Sequence, residues 1–281
     1  MKPIHRSLTL LWIVAALGSI TPVLAQSTAP SQAEPNSTQG ESAKPDPSQA
    51  APTTPGPGES TTPNQTQSPP SSTESNPARS ETTTPESEMT DVELYNRGIE
   101  KARNGDYKGA IEDYTAALRL NPDLVQAYVN RGYARYFLKD YQGAIDDSTQ
   151  AIRLDPNNPK AYINRGNARD DLKDHQGAVQ DYSEAVRLDP NDDKAYYNRG
   201  IAYNQLQKHT EALQDYTKAI ELRPDFAEAY FNRGVTYFNL KNTQAALRDF
   251  QKAVNFFREQ GNTQAVQSTQ EAIRTIQQAQ T

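Results

Sequence analysis

Residues 193–226 read DKAYYNRGIAYNQLQKHTEALQDYTKAIELRPDF, and this stretch of 34 residues occurs, with changes, five times in succession. Every copy has Asn at its sixth position, Arg at its seventh, Gly at its eighth, and Ala at positions 20 and 27. Similarity at a fixed period of this length is typical of arrays in which each copy forms one unit and stacks on its neighbours. The sequence therefore predicts a repeat array with copies at 91–124, 125–158, 159–192, 193–226 and 227–260.

Each copy contains two stretches of helical periodicity, separated by a short polar segment such as Lys173-Asp174. In the first four copies the second stretch ends at a proline, which cannot continue a helix. Gly at position 8 and Ala at positions 20 and 27 allow two helices to approach closely, while aromatic residues at positions 4 and 24 fill the space around them. The sequence predicts one helix-turn-helix unit per copy, stabilised by stacking on its neighbours because a single pair cannot bury its own apolar face.

Both ends of the array carry features that a stack requires. Thr90 and Glu93 match a capping box at the start of the first helix. Gly261 ends the second helix of the fifth copy, and a final helix is expected to begin at Asn262 or Thr263. Its apolar face comprises Val266, Thr269, Ile273 and Ile276. We expect this C-terminal helix, within residues 261–281, to cover the last apolar surface of the array.

The pattern resembles the tetratricopeptide repeat (TPR) family, whose period and small-residue positions it matches over residues 91–260. The resemblance implies an all-α, right-handed solenoid whose first helices line a concave groove, the usual binding site for a protein or peptide. The chain departs from the family pattern with Tyr for Trp at position 4 in four copies and with Arg for Leu at position 7. The remaining departures are Lys101, Arg135 and Arg169 for Tyr at position 11, and Ser148 for an aromatic residue at position 24.

The arginine at position 7 is matched by an aspartate at position 23 in every copy. The five pairs are Arg97 with Asp113, Arg131 with Asp147, Arg165 with Asp181, Arg199 with Asp215, and Arg233 with Asp249. We expect each pair to join the first helix of a repeat to its second helix. The alternative is that the arginines face the groove and bind anionic ligands.

Positions 2, 5, 9, 12 and 13 lie on one face of each first helix by their spacing, and position 6 borders that face. In the TPR family this face lines the groove. It is predicted to be apolar and aromatic towards both ends, with an acidic patch at Asp170 and Asp171. The candidate binding residues are Tyr95, Asn96, Asn130, Tyr133, Tyr136, Asn164, Asn167, Asp170, Tyr197, Asn198, Asn204, Phe231, Asn232 and Phe238.

The asparagine at position 6 is the most specific of these candidates because it recurs in all five copies. A carboxamide both donates and accepts hydrogen bonds, so a row of them can hold the backbone of an extended peptide. The row is similar to the asparagine ladder in the peptide-binding TPR array of O-linked GlcNAc transferases. The alternative is that each asparagine forms a hydrogen bond within its own repeat. The Lys and Asn pattern of the TPR subclass that binds chaperone C-termini is absent from every run of three copies.

The sequence predicts no enzyme, no cofactor and no metal site. The chain has no cysteine, which excludes thiol catalysis and Cys-ligated metals. His175 and His209 both occupy position 17, where we expect them to pack in the turn between helices. Asp189, Asn191 and Asp193 have the spacing of a calcium loop, but Lys194 replaces its glycine.

Charge argues against nucleic acid as a partner. The formal net charge of the chain is −6, of which residues 26–90 contribute −6 and residues 1–25 contribute +2. The remaining residues, 91–281, therefore carry only −2. A near-neutral repeat region lacks the basic surface that binding to the phosphate backbone requires.

Two segments precede the repeats. Residues 1–25 match a secretory signal peptide, with Lys2 and Arg6 before a short apolar run. The alternative is an uncleaved membrane anchor over residues 8–24, which would be the only membrane contact. Residues 26–90 contain no Val, Ile, Leu or aromatic residue, a composition that predicts a disordered linker.

These observations predict an exported scaffold or assembly factor in the periplasm or cell envelope, with an organelle lumen as the alternative compartment. Its partner would be a protein or peptide segment held in the groove, and we expect a monomer. An alternative function is a structural protein that self-associates and is spaced by its disordered tail. A regulatory domain that serves an enzyme on a separate chain has the same sequence features.

Overall fold

The computed structural model describes residues 89–280, which form eleven α-helices and no strand. The first helices of the repeats are α1 (Asp91–Arg103), α3 (Val125–Phe137), α5 (Pro159–Asp171), α7 (Asp193–Gln205) and α9 (Ala227–Asn239). The second helices are α2 (Tyr107–Leu120), α4 (Tyr141–Leu154), α6 (His175–Leu188), α8 (His209–Leu222) and α10 (Thr243–Glu259), and α11 (Thr263–Gln278) follows them. The predicted all-α solenoid is confirmed. The predicted signal peptide (1–25) and all but the last two residues of the predicted linker (26–90) lie outside the described residues.

The first helices form the inner layer of the stack. Each helix contacts the next one along the chain, and consecutive first helices also contact each other directly. Among the described residues, no two second helices approach one another to the same extent. The surface formed by α1, α3, α5, α7 and α9 is therefore the inner surface of the array.

Both ends of the array have the predicted caps. The backbone N–H of Glu93 donates to Thr90 Oγ1 at 3.2 Å, and the backbone N–H of Thr90 donates to Glu93 Oε2 at 2.8 Å. At the other end, Asn262 caps α11 by accepting from the backbone N–H of Ala265. Ile276 of α11 is buried in the same apolar cluster as Phe257 of α10, so the final helix covers the end of the core as predicted.

The glycine at position 8 allows the two helices of a repeat to approach each other. A Cβ atom added at Gly166 would lie 2.8 Å from Cε1 of the buried Tyr182, which is too close for a carbon–carbon contact. The second repeat differs because Ser148 stands where the other repeats have an aromatic ring. Ser148 is fully buried, and its hydroxyl has no hydrogen-bond partner in the described part of the chain. The departure at position 24 therefore leaves an unsatisfied polar group in that repeat.

The predicted ion pair joins the two helices of every repeat. Arg165 Nη2 lies 2.7 Å from Asp181 Oδ1, and the Nη2–Oδ1 distances of the four equivalent pairs are 2.5 to 3.0 Å. In each pair the guanidinium donates through both Nε and Nη2, which is the strong bidentate geometry. All five aspartates are buried. The alternative that these arginines face the groove is wrong.

The same arginine also contacts the preceding repeat. In the second to fifth repeats its remaining nitrogen, Nη1, donates to a hydroxyl at position 25 of the repeat before. These bonds are Arg131 to Thr115 (3.0 Å), Arg165 to Thr149 (3.3 Å), Arg199 to Ser183 (3.3 Å) and Arg233 to Thr217 (3.0 Å). The guanidinium carbon lies 5.5 to 5.7 Å from the centre of the tyrosine ring at position 4, within cation–π range. Arg at position 7 and Tyr at position 4 thus replace the family's Leu and Trp as an interacting pair.

The basic residue at position 11 supplies a second cation in the first three repeats. Lys101 Nζ lies 2.8 Å from Asp113 Oδ2, and Arg135 and Arg169 make the equivalent contacts at 2.9 and 2.8 Å. Burial would raise the pKa of Asp113, but Arg97 and Lys101 outweigh it and hold that pKa below its ordinary value. In the fourth repeat position 11 is Tyr203. There burial raises the pKa of Asp215 despite the opposing effect of Arg199.

We expect the variants Asp113→Asn and Asp215→Asn to differ in how their loss of stability changes with pH. Because the folded pKa of Asp113 is lowered, its contribution is present above the ordinary pKa and is lost as pH falls through the lowered value. Because the folded pKa of Asp215 is raised, its contribution is present below the ordinary pKa and is lost as pH rises through the raised value.

Between about pH 3 and about pH 6, the loss of unfolding free energy caused by Asp113→Asn should therefore grow, and the loss caused by Asp215→Asn should shrink. Urea unfolding of both variants and the parent protein at several pH values measures these trends. The same trend in both variants would contradict the explanation that two cations contact Asp113 whereas one contacts Asp215.

The turn between the two helices of a repeat contains a left-handed residue. This residue is Gly105 in the first repeat, with φ of 81°, but Lys173 in the third, with φ of 70°. A side chain in this conformation costs about 1 kcal/mol because its Cβ crowds the backbone. We expect Lys173→Gly to raise the unfolding free energy by about 1 kcal/mol in urea titration. The reverse change, Gly105→Lys, is the matched control and should lower it, whereas no change in either variant would contradict the interpretation.

Candidate functional site

Among the described residues, two clefts of the inner surface lie on the first helices of the second, third and fourth repeats. The wide cleft, of about 360 Å³, lies towards the N-terminal ends of these helices. It is lined by Val129, Asn130, Tyr133, Lys160, Ile163, Asn164, Asp189, Asp192, Asp193 and Lys194. The acidic cleft, of about 80 Å³, lies towards their C-terminal ends. It is lined by Tyr136, Asn167, Asp170, Asp171, Tyr182, Asn198 and Ile201.

The wide cleft combines an apolar floor with a charged edge. Val129 and Ile163 are largely buried beneath it, and Tyr133 is half-buried with its ring 4.7 Å from that of Phe137. The edge carries charges of both signs. They belong to Lys160, Asp189, Asp192, Asp193 and Lys194. The cleft therefore suits a segment that inserts an apolar side chain and keeps polar groups at the edge.

Two of these edge aspartates have structural roles as well. Asp192 caps α7 by accepting from the backbone N–H groups of Lys194 and Ala195, and burial raises its pKa against that effect. Asp193 lies 2.7 Å from Arg223 Nε. The turn that leads into α7 is thus held in place, and it presents a fixed acidic edge to the cleft.

The position-6 asparagines connect neighbouring repeats. Four of them donate a hydrogen bond through Nδ2 to the repeat before. The bonds are Asn130 to the Tyr95 hydroxyl (3.0 Å), Asn164 to the Val129 carbonyl (3.0 Å), Asn198 to Asn167 Oδ1 (3.2 Å) and Asn232 to the Tyr197 hydroxyl (2.8 Å). Asn96 is exposed in the first repeat. The alternative of a hydrogen bond within one repeat is therefore wrong for these four side chains, each of which uses one N–H of its carboxamide to contact the preceding repeat.

The acidic cleft contains a small hydrogen-bond network. The Tyr182 hydroxyl donates to Asn167 Oδ1 at 2.7 Å, and Asn198 Nδ2 donates to the same oxygen. Burial raises the pKa of Tyr182 far above its ordinary range, which keeps the hydroxyl protonated. His175 Nδ1 lies 2.6 Å from Asp170 Oδ1, and Asp171 is exposed. Two carboxylates and two amides thus meet beside Tyr136.

Two predicted groove residues are part of the core instead. Tyr197 and Phe231 have no exposed surface. The ring of Phe226 lies 4.7 Å from that of Tyr197, and the ring of Phe250 lies 5.5 Å from that of Phe231, so these neighbours fill the space beside position 5. Phe238 is half-buried and packs against the same core cluster. The prediction of an open aromatic surface at the C-terminal end of the groove is wrong.

The remaining candidates separate into three groups. Asn130, Tyr133 and Asn164 line the wide cleft. Tyr136, Asn167, Asp170 and Asn198 line the acidic cleft. Tyr95, Asn96, Asn204 and Asn232 line neither of the two clefts. Asn204 donates to Thr236 Oγ1 at 2.7 Å, which links the fourth repeat to the fifth.

The prediction missed the turn residues at the edge of the wide cleft. Asp189 and Asp192 precede α7, and only first-helix positions were assigned to the groove. Of these turn residues, the calcium-loop spacing in the sequence includes Asp189 but not Asp192. The signal that identifies them is their place directly before a first helix.

His175 and His209, which were expected to pack in the turns, are the first residues of α6 and α8 and lie directly after those turns. His175 contacts Asp170, and His209 Nδ1 lies 2.9 Å from Asn204 Oδ1, so each joins the start of a second helix to the end of a first helix. Within residues 89–280, no group of three or more His, Asp or Glu residues is arranged to hold a metal ion. None of the helices in that range has both the length and the apolar character needed to cross a membrane.

Sequence profiles of known families match most of the repeat region. Two profiles described as tetratricopeptide repeat match residues 95–159 and 227–258, and one described as TPR repeat matches residues 171–207 and 202–241. Together the matched residues make up more than half of the chain. No curated protein matches the sequence with statistical significance.

Solved structures with a similar fold include MamA and YrrB. MamA is 27% identical, with a TM-score of 0.55 over 59% of this chain and 96% of its own. YrrB, described as a TPR protein with an unusual peptide-binding site, is 24% identical, with a TM-score of 0.54 over 64% of this chain and 92% of its own. A MamA fragment from Desulfovibrio magneticus RS-1 is 22% identical with a TM-score of 0.57, over 60% of this chain and 96% of its own. At identities below 25%, the last two likenesses show the fold alone.

The asparagine series can be divided experimentally into structural and exposed members. Asn232 is buried and bonded to the preceding repeat, so Asn232→Ala leaves the Tyr197 hydroxyl without its donor. We expect a loss of about 1 to 3 kcal/mol of unfolding free energy. Asn96→Ala is the matched control at an exposed site, where we expect a change of less than about 0.5 kcal/mol. Urea unfolding measures both, and equal losses would contradict the structural role.

Proposed function

The chain belongs to the tetratricopeptide repeat family, and we propose that it is a non-enzymatic scaffold that binds an extended segment of a partner protein on the inner surface formed by its first helices. Proteins with this repeat are protein-interaction scaffolds in general. The finer proposal concerns where the segment lies and what it contacts. One observation carries it, which is that both clefts lie on the same three helices, α3, α5 and α7.

The spacing of the two clefts matches an extended chain. On α5, Ile163 lines the wide cleft and Asp170 lines the acidic cleft, seven residues further along the helix. At a rise of 1.5 Å per residue this separation is about 10 Å. A peptide in the polyproline II conformation advances about 3.1 Å per residue and has three residues per turn, so side chains three residues apart lie on one side of it and can enter both clefts. A single segment that runs along α5, from the wide cleft to the acidic cleft, would therefore engage both sites.

The wide cleft supplies most of the apolar contact. Tyr133 presents a half-buried ring beside Val129 and Ile163, and aromatic residues in such positions often dominate the energy of an interface. The arginines of the repeats are engaged in ion pairs, so an anionic ligand has little to bind. YrrB has the same fold and is itself described as having a peptide-binding site, which supports the view that this architecture can present one.

The proposed compartment rests on the sequence alone. Residues 1–25 match an export signal, and residues 26–90 have the composition of a spacer. We propose that the scaffold acts in the cell envelope, as an assembly factor that holds a partner while other components join it. A fractionation experiment that finds the protein only in the cytoplasm would contradict this part of the proposal.

A second candidate function is self-association through the first repeat. Val92 on α1 and Leu120 at the end of α2 are more than half exposed, whereas α11 covers the opposite end of the array. Contact between first repeats would cover these residues. Light scattering over a range of concentrations tests it, because a mass that stays at one chain excludes self-association.

Substitution of the wide-cleft tyrosine tests the groove. Peptides of eight random residues are first selected by display against the full-length protein, and their affinities are measured by fluorescence polarisation. Tyr133→Ala should weaken binding about tenfold, or about 1.4 kcal/mol, because it removes the ring beside the apolar floor. Tyr162→Ala is the matched control, since Tyr162 packs under Arg165 and lines neither cleft. A library that yields no binding peptide would contradict the proposed function.

A further inference from the structure

We propose that the acidic cleft binds the side chain of a lysine or arginine in the partner segment, and that Asn167 and Asn198 hold the backbone of that residue. This inference rests on the proposed function and assigns a chemical identity to one position of the ligand. The wide cleft takes an apolar side chain, and the acidic cleft takes a cation three residues away along a segment in the polyproline II conformation.

The charge of the acidic cleft is one-sided. Asp170 and Asp171 both line it, and none of its other lining residues is basic. The contact with His175 engages one of the two carboxylate oxygens of Asp170. Lys173, in the turn beyond, is exposed. Burial raises the pKa of Asp170, while His175 and Lys173 lower it and Asp171 raises it by smaller amounts. A positive charge bound in the cleft would therefore stabilise the ionised carboxylate.

The position of these two acids is unfavourable for the helix that carries them. They are the last two residues of α5, where the helix dipole is negative and an acidic side chain is destabilising. The equivalent residues in the other repeats are Ala102 and Arg103, Tyr136 and Phe137, Asn204 and Gln205, and Phe238 and Asn239. No other copy has an acid there. A local rule that is broken in one repeat is typical of a functional site.

An incompletely bonded amide marks the same place. Asn167 is only 8% exposed, and its Oδ1 accepts from both Tyr182 and Asn198. In the described part of the chain its Nδ2 has no hydrogen-bond partner, and it is not among the fully buried unpaired atoms, so this donor is open to the cleft.

The two amides together present what a peptide unit needs. With one N–H of Asn198 donating to Asn167, the Nδ2 group of Asn167 can still donate to a ligand and Oδ1 of Asn198 can still accept from it. If nitrogen and oxygen are exchanged in both amides, Asn198 supplies the donor and Asn167 supplies the acceptor, so a ligand still meets one of each. One peptide N–H and one C=O can therefore be bound here, beside the carboxylates.

The walls of the acidic cleft fit the rest of such a side chain. Lysine and arginine have an aliphatic stem that packs on apolar surface while the charged end reaches a polar group. Ile201 supplies the aliphatic wall, and Tyr136 supplies a ring for a cation–π contact. Burial raises the pKa of Tyr136 far above its ordinary range, and nearby Asp171 adds to this effect, so the ring stays neutral beside the cation. A ligand that carries phosphate or carboxylate at this position would be repelled.

The test uses the peptides selected against the full-length protein. We expect the pool to be enriched in lysine or arginine at one position, about three residues from an apolar residue. For a selected peptide, replacement of its basic residue by norleucine should weaken binding about tenfold. The protein variant Asp170→Asn/Asp171→Asn should weaken the binding of the basic peptide by a similar factor and leave the affinity for the norleucine peptide unchanged. Asp146→Asn, an exposed aspartate on the outer helix α4, is the matched control and should change neither affinity.

A second readout does not depend on binding. Because both acids lie at the C-terminal end of a helix, Asp171→Asn should raise the midpoint of thermal unfolding. The same variant should weaken the binding of the basic peptide. This single variant also keeps the contact between Asp170 and His175, so it remains informative if the double variant folds poorly.

The possible failures are distinguishable. A pool with no preference for basic residues, or a preference that survives the double variant, overturns the assignment of the acidic cleft but leaves groove binding in place. A library that yields no binding peptide overturns the proposed function itself.

Discussion

A buried arginine–aspartate pair, repeated in every copy, is the interaction on which the rest of the structure depends. One guanidinium pairs with the carboxylate of its own second helix, donates to a hydroxyl of the preceding repeat, and covers a tyrosine ring. Three contacts that a stack needs are thus made by one side chain. Removal of either partner alone leaves the other charge unpaired in a largely buried place, which costs several kcal/mol, and misaligned stacking would separate the guanidinium from the hydroxyl of the preceding repeat.

The regular residues of the array mostly hold the array together. The asparagines of position 6 donate to the preceding repeat, and the arginines of position 7 are fully engaged. What remains for a ligand is found where the copies differ from one another, at Asn167, Asp170 and Asp171 in the third repeat and at Tyr133 in the second. Recognition of a ligand is therefore expected to depend on residues that differ from the repeat pattern, and these lie in the middle repeats of the array.

The sequence predicted the parts of the fold that depend on local or strictly periodic signals. Helix starts, the capping box at Thr90, the final helix and the ion pairs all follow from residues that recur or that lie close together in the chain. The site was harder to predict because helical spacing identifies a face but not how much of it a neighbour covers. Tyr197 was placed in the groove by spacing, although Phe226 and Tyr216 surround it in the fold. The partner of Asn232 lies 35 residues away, in another repeat.

Ser148 gives the array an uneven cooperativity. In a linear stack, each unit is held only by its neighbours, so a weaker unit divides the chain of interactions into two parts. The second repeat has a small residue and an unpaired hydroxyl where its neighbours have a packed ring. Partial unfolding should therefore release the first two repeats together and leave the last three, with the final helix, as an intact subdomain. The interface between the second and third repeats would then be the place where the array separates. Because both clefts span this interface, a ligand bound in the groove would contact both parts and delay the unfolding of the first two repeats.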